Sequence, residues 1–477
     1  MPIFRPRLAW SLAGLVLACG LLGGCDSRDA RARDAYARYQ SAAAANDMVG
    51  AQQALLQLVS IEDRVAQYWM ELGRIQAASG NPGEAYHSLT RAYELDRSNV
   101  DLLRILTEFA LRGGDPAKAK EYARELEVVA PGDPWVKLTM GHAALRESRF
   151  DEAMKEADAV LVTSPMDSQA KVLKARALLG MMQDASAEAL LVEQIRAQPS
   201  DAMSLQLLAN IYEVRSDWPR LLPITRRMAE LQPANASFSI MAIETAFKAK
   251  QPAIGRADSI KLIKTGANAP LIAKLLDVWL THWPSTQRAT DAFDLGLAAR
   301  DPKARVTYAD FLNRVGRPAE ALKLVAGLDR QPVNAESANA NAAAAEALGL
   351  TGQHGAAVKR FGDVLAYDPG NAMALRGQSK LLLRLGRPKD AIVGAEKLVT
   401  VAPEMADDRL LLARVFVAAG DPAQAQRTLW DAFRDIPGNE RIYGALAQLT
   451  RANPDQRVTL QQEFARQTAT KIGQGLL

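Results

Sequence analysis

The chain has 477 residues, 48% hydrophobic but only 6% aromatic, and its abundance of Ala and Leu favours helices over sheets. Its 58 basic and 54 acidic residues leave a net charge of +4, too even for the concentrated basic face of a nucleic-acid binder, so no nucleic-acid partner is expected. The two cysteines, Cys19 and Cys25, both lie near the start, which excludes a disulfide framework or a thiolate metal site in the remainder.

Taken in chain order, the first element has the pattern of a secretory signal. Arg5 and Arg7 precede an apolar run from Leu8 to Leu22, which is short for a membrane span. Then comes Leu22-Gly23-Gly24-Cys25. This resembles the lipobox of bacterial lipoproteins, in which small residues admit the chain to the peptidase and the Cys thiol is acylated. The resemblance implies a signal peptide over 1–24, lipidation (palmitate) at Cys25 and a tether over 25–31. It also implies a lipoprotein facing the periplasm. Asp26 resembles an inner-membrane retention signal, and an outer-membrane anchor is the alternative.

The body is repetitive. Trp69, Leu72, Gly73, Gly80, Ala85, Leu89 and Ala92 form one spaced set. Pro131, Pro165, Pro199 and Pro233 recur every 34 residues, as do Ala51, Ala85, Ala119, Ala153 and Ala187. Downstream, Pro369, Pro403 and Pro437 keep the interval, as do Gly352, Gly386 and Gly420 and Ala357, Ala391 and Ala425. Each Pro of these ladders ends a helix, because it lacks the N–H that a helix needs. Pro82, Pro116, Pro388 and Pro422 instead suit the first turn of the helix that follows. Small residues at Gly73 and Ala85 let two helices cross closely.

This set resembles the tetratricopeptide (TPR) repeat. The resemblance implies an all-α TPR solenoid, a right-handed superhelix of antiparallel helix pairs. The expected parts are an N-terminal array over 32–235, degenerate helical repeats over 236–303 and a C-terminal array over 304–439. Capping helices are expected over 440–477. Gly316 and Ala321 fall two residues early, so the register slips there. Trp279 and Trp283, four residues apart, share one helix face and are expected in the core; Trp135 reads either as an exposed anchor or as inter-repeat packing.

No GxSxG elbow, phosphate loop or HExxH spacing occurs, and His87, His142, His282 and His354 are scattered. No enzyme, cofactor or metal is expected. In the TPR family the first helix of each pair lines a concave groove. Residues at the groove positions include Arg74, Arg104, His142, Arg176 and Asn210, then Arg376, Lys380 and Arg414 on two adjacent units. The last three would form a basic patch, and Arg suits carboxylates because its planar fork binds two oxygens. The similarity to carboxylate-clamp TPR domains is partial, since the full clamp set is missing from neighbouring units. The expected function is a membrane-anchored scaffold that binds protein or peptide partners in cell-envelope assembly. The chain resembles the TPR lipoproteins of exopolysaccharide and PEP-CTERM systems. Outer-membrane protein assembly, pilus biogenesis and cell-wall enzyme regulation stand beside that reading, and an anionic polysaccharide in the groove is the alternative ligand.

Overall fold

The computed structural model describes the backbone of residues 12–476 and the side chains of residues 28–467. Cys25 and the signal segment before it lie outside the residues whose side chains are described. Among the described residues every regular element is an α-helix, and there are 26. They form two compact units, one up to Ser204 and one from Leu205 to Leu476.

The first unit stacks five helix pairs. They are α1 (Leu12–Ala44) with α2 (Met48–Ile61), α3 (Ala66–Ala78) with α4 (Pro82–Leu95), and α5 (Val100–Arg112) with α6 (Pro116–Val129). Next come α7 (Pro134–Arg146) with α8 (Phe150–Thr163) and α9 (Ser168–Gly180) with α10 (Asp184–Ala197). Helix α11 (Ala202–Val214) carries the boundary.

The second unit continues with α12 (Trp218–Leu231), α13 (Ala236–Lys248), α14 (Pro252–Lys264), α15 (Ala269–His282) and α16 (Gln287–Ala298). It then adds α17 (Pro302–Arg314), α18 (Pro318–Val325), α19 (Ala338–Leu350), α20 (His354–Tyr367) and α21 (Ala372–Arg384). The last five are α22 (Pro388–Val401), α23 (Ala406–Ala418), α24 (Pro422–Asp435), α25 (Glu440–Leu449) and α26 (Pro454–Leu476).

Local chemistry sets the pair. The turn between its two helices uses one residue in the left-handed region. Asn46, Gly80, Gly114, Ser148, Met182, Ser216 and Lys250 hold that place at 34-residue intervals, followed later by Gly316, Gly352, Gly386 and Gly420. Asp47, Asp115, Asp217 and Asp421 then cap the second helix, each accepting a backbone N–H three residues on. That cap satisfies a donor that the helix itself leaves orphaned.

The crossing is equally specific. A Cβ on Gly73 would lie 2.7 Å from Leu89 Cγ and 3.1 Å from the Ala85 carbonyl oxygen. Ala51, Ala85, Ala119, Ala153, Ala187, Ala357, Ala391 and Ala425 are all buried. The second helices α6, α8, α10, α12, α20, α22 and α24 each stop two residues before their Pro.

Residues 236–303 are also helical: α13 packs on α14, α15 packs on α13 and α17, and aromatic rings fill the interior. Trp279 is fully buried and its Nε1 donates to Ser259 Oγ at 2.9 Å. Trp283 packs edge-on against it at 5.2 Å and stacks on Phe247 at 5.8 Å. At the other end of the unit, α26 lays Phe464 on Tyr443 at 4.3 Å and buries Leu460, while Gln461, Gln462 and Arg466 stay exposed.

Candidate functional site

One position on the first helix of each pair forms a ladder along the repeats. In the first unit it holds Arg74, Glu108, His142 and Arg176, each 34 residues apart. In the second unit it holds Asn210, Glu244, Asp277, Asp310, Glu346, Lys380, Arg414 and Gln448. The charges of the second unit are sorted: four consecutive acids, then two bases.

In the first unit the ladder is set among local partners. Arg74 bonds Glu71 on its own helix at 3.1 Å. Arg104 reaches Asp133, the cap of α7, at 2.5 Å. His142 is pushed down to about 4, first by desolvation and then by the guanidiniums of Arg176 and Arg146. Arg176 is itself held below the ordinary arginine value, mainly by desolvation. Trp135 is half-buried against the core around Leu103 and Leu106. In the second unit, Asn210 accepts from Gln206 at 3.0 Å.

Arg376, Lys380 and Arg414 come together in the second unit. All three line one cavity of about 540 Å³. Part of its lining is charged, with Asp277, Asp310, Arg314, Asp407 and Arg441 beside those three. The rest is largely apolar, built by Met405 at the cap of α23, Leu410, Leu411 and Val417 of α23, Leu429 of α24 and Leu449 of α25. Among the described residues no aromatic ring lines it.

The basic patch expected from spacing is largely neutralised. Arg376 donates through Nε and Nη2 to the two carboxylate oxygens of Asp408 at 2.6 and 2.8 Å, and Asp408 has no exposed surface. Burial works against the charge on Arg376, but the bidentate bond outweighs it and holds its proton more firmly than usual. Lys380 pairs with the buried Glu346 at 3.2 Å.

A second set of ion pairs joins distant helices. Arg314 bonds Asp277 at 2.6 Å and approaches Asp407 at 3.9 Å, and Asp407 also bonds Arg441. This chain of alternating charge ties α15, α17, α23 and α25 together around the cavity. Two complete helix pairs separate α17 from α23 in sequence, so the stack within this unit curves enough to bring them face to face.

Two charges are left over. Among the described residues, Asp310 and Arg414 alone of the cavity's charged groups take no ion pair. Burial pushes the Asp310 carboxyl above its ordinary range and Glu346 adds to this, against Arg314, Lys380 and Arg376. Arg414 is exposed. Sequence reasoning singled out Arg376, Lys380 and Arg414 but missed Asp310, Arg314, Glu346, Asp407, Asp408 and Arg441. A signal for Glu346 existed, because it stands 34 residues before Lys380 and 68 before Arg414.

Among the described residues no three His, Cys, Asp or Glu groups are arranged to hold a metal ion, and no helix is long and apolar enough to cross a membrane.

Comparison with known proteins agrees with the geometry. Residues 70–134, 138–202, 342–403 and 382–449 match tetratricopeptide repeat families, and these segments are TPR repeats. The chain is 22% identical over 419 residues to cellulose synthase operon protein C of Komagataeibacter sucrofermentans, covering 80% of this chain and 28% of that protein. It is 24% identical over 337 residues to cellulose synthase 2 operon protein C of Komagataeibacter xylinus, covering 65% of this chain and 26% of that protein. The matched region thus spans little more than a quarter of those relatives. Among solved structures, a TPR protein from Parabacteroides merdae aligns with a TM-score of 0.39 and 17% identity, over 53% of this chain and 99% of its own. The type IV pilus biogenesis factor PilW aligns with a TM-score of 0.35 and 19% identity, over 45% of this chain and 97% of its own.

Proposed function

We propose that this TPR solenoid is a non-catalytic scaffold, anchored in the cell envelope through an acylated Cys25, that holds a segment of a partner protein. The observation that carries the reading is the cavity of about 540 Å³ on the ladder face of the second unit, lined by both charged and apolar side chains. Binding sites for protein segments need both, since apolar burial supplies affinity and placed charges supply register. The likeness to cellulose synthase operon protein C over 80% of the chain supports a role in exopolysaccharide synthesis or export. The Leu22-Gly23-Gly24-Cys25 sequence supports the periplasm-facing anchor, with Asp26 favouring the inner membrane.

An anionic polysaccharide is the weaker occupant. A sugar chain is held well by exposed aromatic faces and unpaired cations, whereas no aromatic lines this cavity among the described residues and four of its five cations are already paired with acids.

The test is photo-crosslinking in cells. Val417 lines the cavity and is 46% exposed, so a photoreactive amino acid is placed there, with a control at Val393 on α22, which is 74% exposed. The expected result is a crosslink to a polysaccharide synthase or export subunit from Val417 alone, with Cys25→Ser releasing the protein from membranes. Crosslinks only to cell-wall enzymes or outer-membrane assembly factors would overturn the polysaccharide role. No protein crosslink above the Val393 control would overturn the binding reading itself.

A further inference from the structure

We infer that the cavity of the second unit is selective for a dipolar protein segment, one with a cationic side chain at Asp310 and a carboxylate at Arg414, separated by apolar residues. The inference rests on the groove reading above and adds the chemistry of its occupant.

The argument starts from charge balance. Four of the cavity's five cations and four of its acids, counting Asp408 and Glu346 just behind its lining, are used up on each other: Arg376 with Asp408, Lys380 with Glu346, and Arg314 and Arg441 with Asp277 and Asp407. What remains is one carboxylate and one guanidinium, on α17 and α23. A ligand that enters strips water from both. A charge desolvated without a partner is costly, so the tightest occupant brings one opposite charge to each. A purely anionic segment would satisfy Arg414 but crowd Asp310 and Asp407, and a purely cationic one would meet Arg414 unfavourably. The same cavity is lined by the apolar Leu410, Val417 and Leu449, which suit aliphatic side chains between the two charges of the segment.

Burial first and Glu346 second raise the proton affinity of the Asp310 carboxyl, and a cationic side chain brought beside it would favour its ionised form. The ladder agrees as well. Its acids Glu244, Asp277, Asp310 and Glu346 precede Lys380 and Arg414, so the surface has an electrostatic direction that a segment of opposite polarity would follow.

The experiment uses the full chain and fluorescein-labelled, end-blocked peptides of the form Gly-Lys-spacer-Glu-Gly, with one to four Leu and Ala residues as spacer. Each has two single-charge controls, Lys replaced by Gln and Glu replaced by Gln. Fluorescence anisotropy reads the affinities. With the best spacer, the dipolar peptide is expected to bind about tenfold tighter than either control, the scale of one charge-assisted hydrogen bond. R414Q should erase the advantage of the peptide Glu and leave that of the Lys, and D310N should do the reverse. Arg414 is exposed, so its variant does not threaten folding, and circular dichroism checks D310N. Equal binding of dipolar and single-charge peptides, or advantages that survive both substitutions, would overturn the inference while leaving the groove reading intact. Failure of every peptide to bind at millimolar concentration would also overturn it, and the Val417 crosslink then decides the groove reading separately.

Discussion

Residues 236–303 and 338–435 build stacked helices from different materials. In α19 to α24 the crossings are made by small residues. A Cβ on Gly377 would lie 2.6 Å from the buried Phe361 ring, and Ala357, Ala391 and Ala425 are buried at the crossings. In α13 to α16 one cluster of Phe247, Trp279 and Trp283 fills the space, extended by Phe311 at 6.5 Å from Trp279. Repeat arrays are held by each pair's own stability plus its interfaces with neighbours. A pair can therefore drop the consensus residues if another packing solution supplies similar burial, and the frame of the groove survives the exchange.

The largest effect should come from breaking the aromatic solution. Trp279 is fully buried and its indole N–H is bonded to Ser259. Trp279→Ala is expected to cost about 3–5 kcal/mol, the range for a large aromatic truncated in a core. Long arrays need not unfold in one step, so the loss is best read by hydrogen exchange in α13 to α16 against α19 to α24. Protection should collapse in the first set and persist in the second. A loss below about 1 kcal/mol, the typical cost of an ordinary substitution, would mean that the aromatic cluster does not hold this stretch.

The two stretches share one device, and it allows a finer comparison. Arg256 bonds both oxygens of Asp291 at 2.6 and 2.9 Å, the same bidentate geometry as Arg376 with Asp408. Arg256 is 41% exposed, however, so its pair is partly screened. Asp291→Asn should cost about 1–2 kcal/mol at neutral pH, less than a wholly buried pair. Desolvation raises the proton affinity of Asp291, but hydrogen bonds from Arg256 and Gln287 overcome it and bring the carboxyl below its ordinary value of 3.8. The folded state therefore binds fewer protons than the unfolded one between those two values. The stabilisation is present above 3.8 and lost as pH falls through the folded value. Urea unfolding of the wild type and the variant should converge in acid; a gap that stays constant with pH would assign the loss to packing.

The period of 34 was legible because its residues act locally. Pro131 or Gly352 works within one turn of chain, whatever lies beyond. The aromatic core of α13 to α16 was half legible: Trp279 and Trp283 share a face by spacing, but Phe247 and Phe311 join them only through tertiary packing. The charged cavity was the least legible part. The loop between α18 and α19 shifts the register, so Asp310 stands 36 residues before Glu346 and drops out of a strict 34-residue count. Arg376 and Asp408 are 32 apart and occupy different helical positions, so the pair depends on side-chain reach between neighbouring helices rather than on the period. Arg314 and Asp407 meet only because the stack curves, which no spacing encodes.

The smallest expected effect restores a consensus residue to the irregular stretch. The turns before α20, α22 and α24 use Gly352, Gly386 and Gly420, with φ of 87°, 70° and 87°. The turn between α13 and α14 places Lys250 in the same region at φ 58°. A side chain with a Cβ is strained there by about 1–2 kcal/mol, since the Cβ crowds the following carbonyl. Glycine removes that strain but gives the unfolded chain more freedom, at a cost of about 0.4–1 kcal/mol. Lys250 is exposed and takes no ion pair among the described residues, so its removal sacrifices little. Lys250→Gly should therefore stabilise the stretch by about 0.5–1 kcal/mol. The gain should appear as slower hydrogen exchange at the start of α14, where the N–H groups of Ile254 and Gly255 donate the first helical bonds to the Gln251 carbonyl. Faster exchange there would show that the Lys250 side chain itself holds the turn, and that the irregular pairs have replaced the glycine device as well as the small-residue crossing.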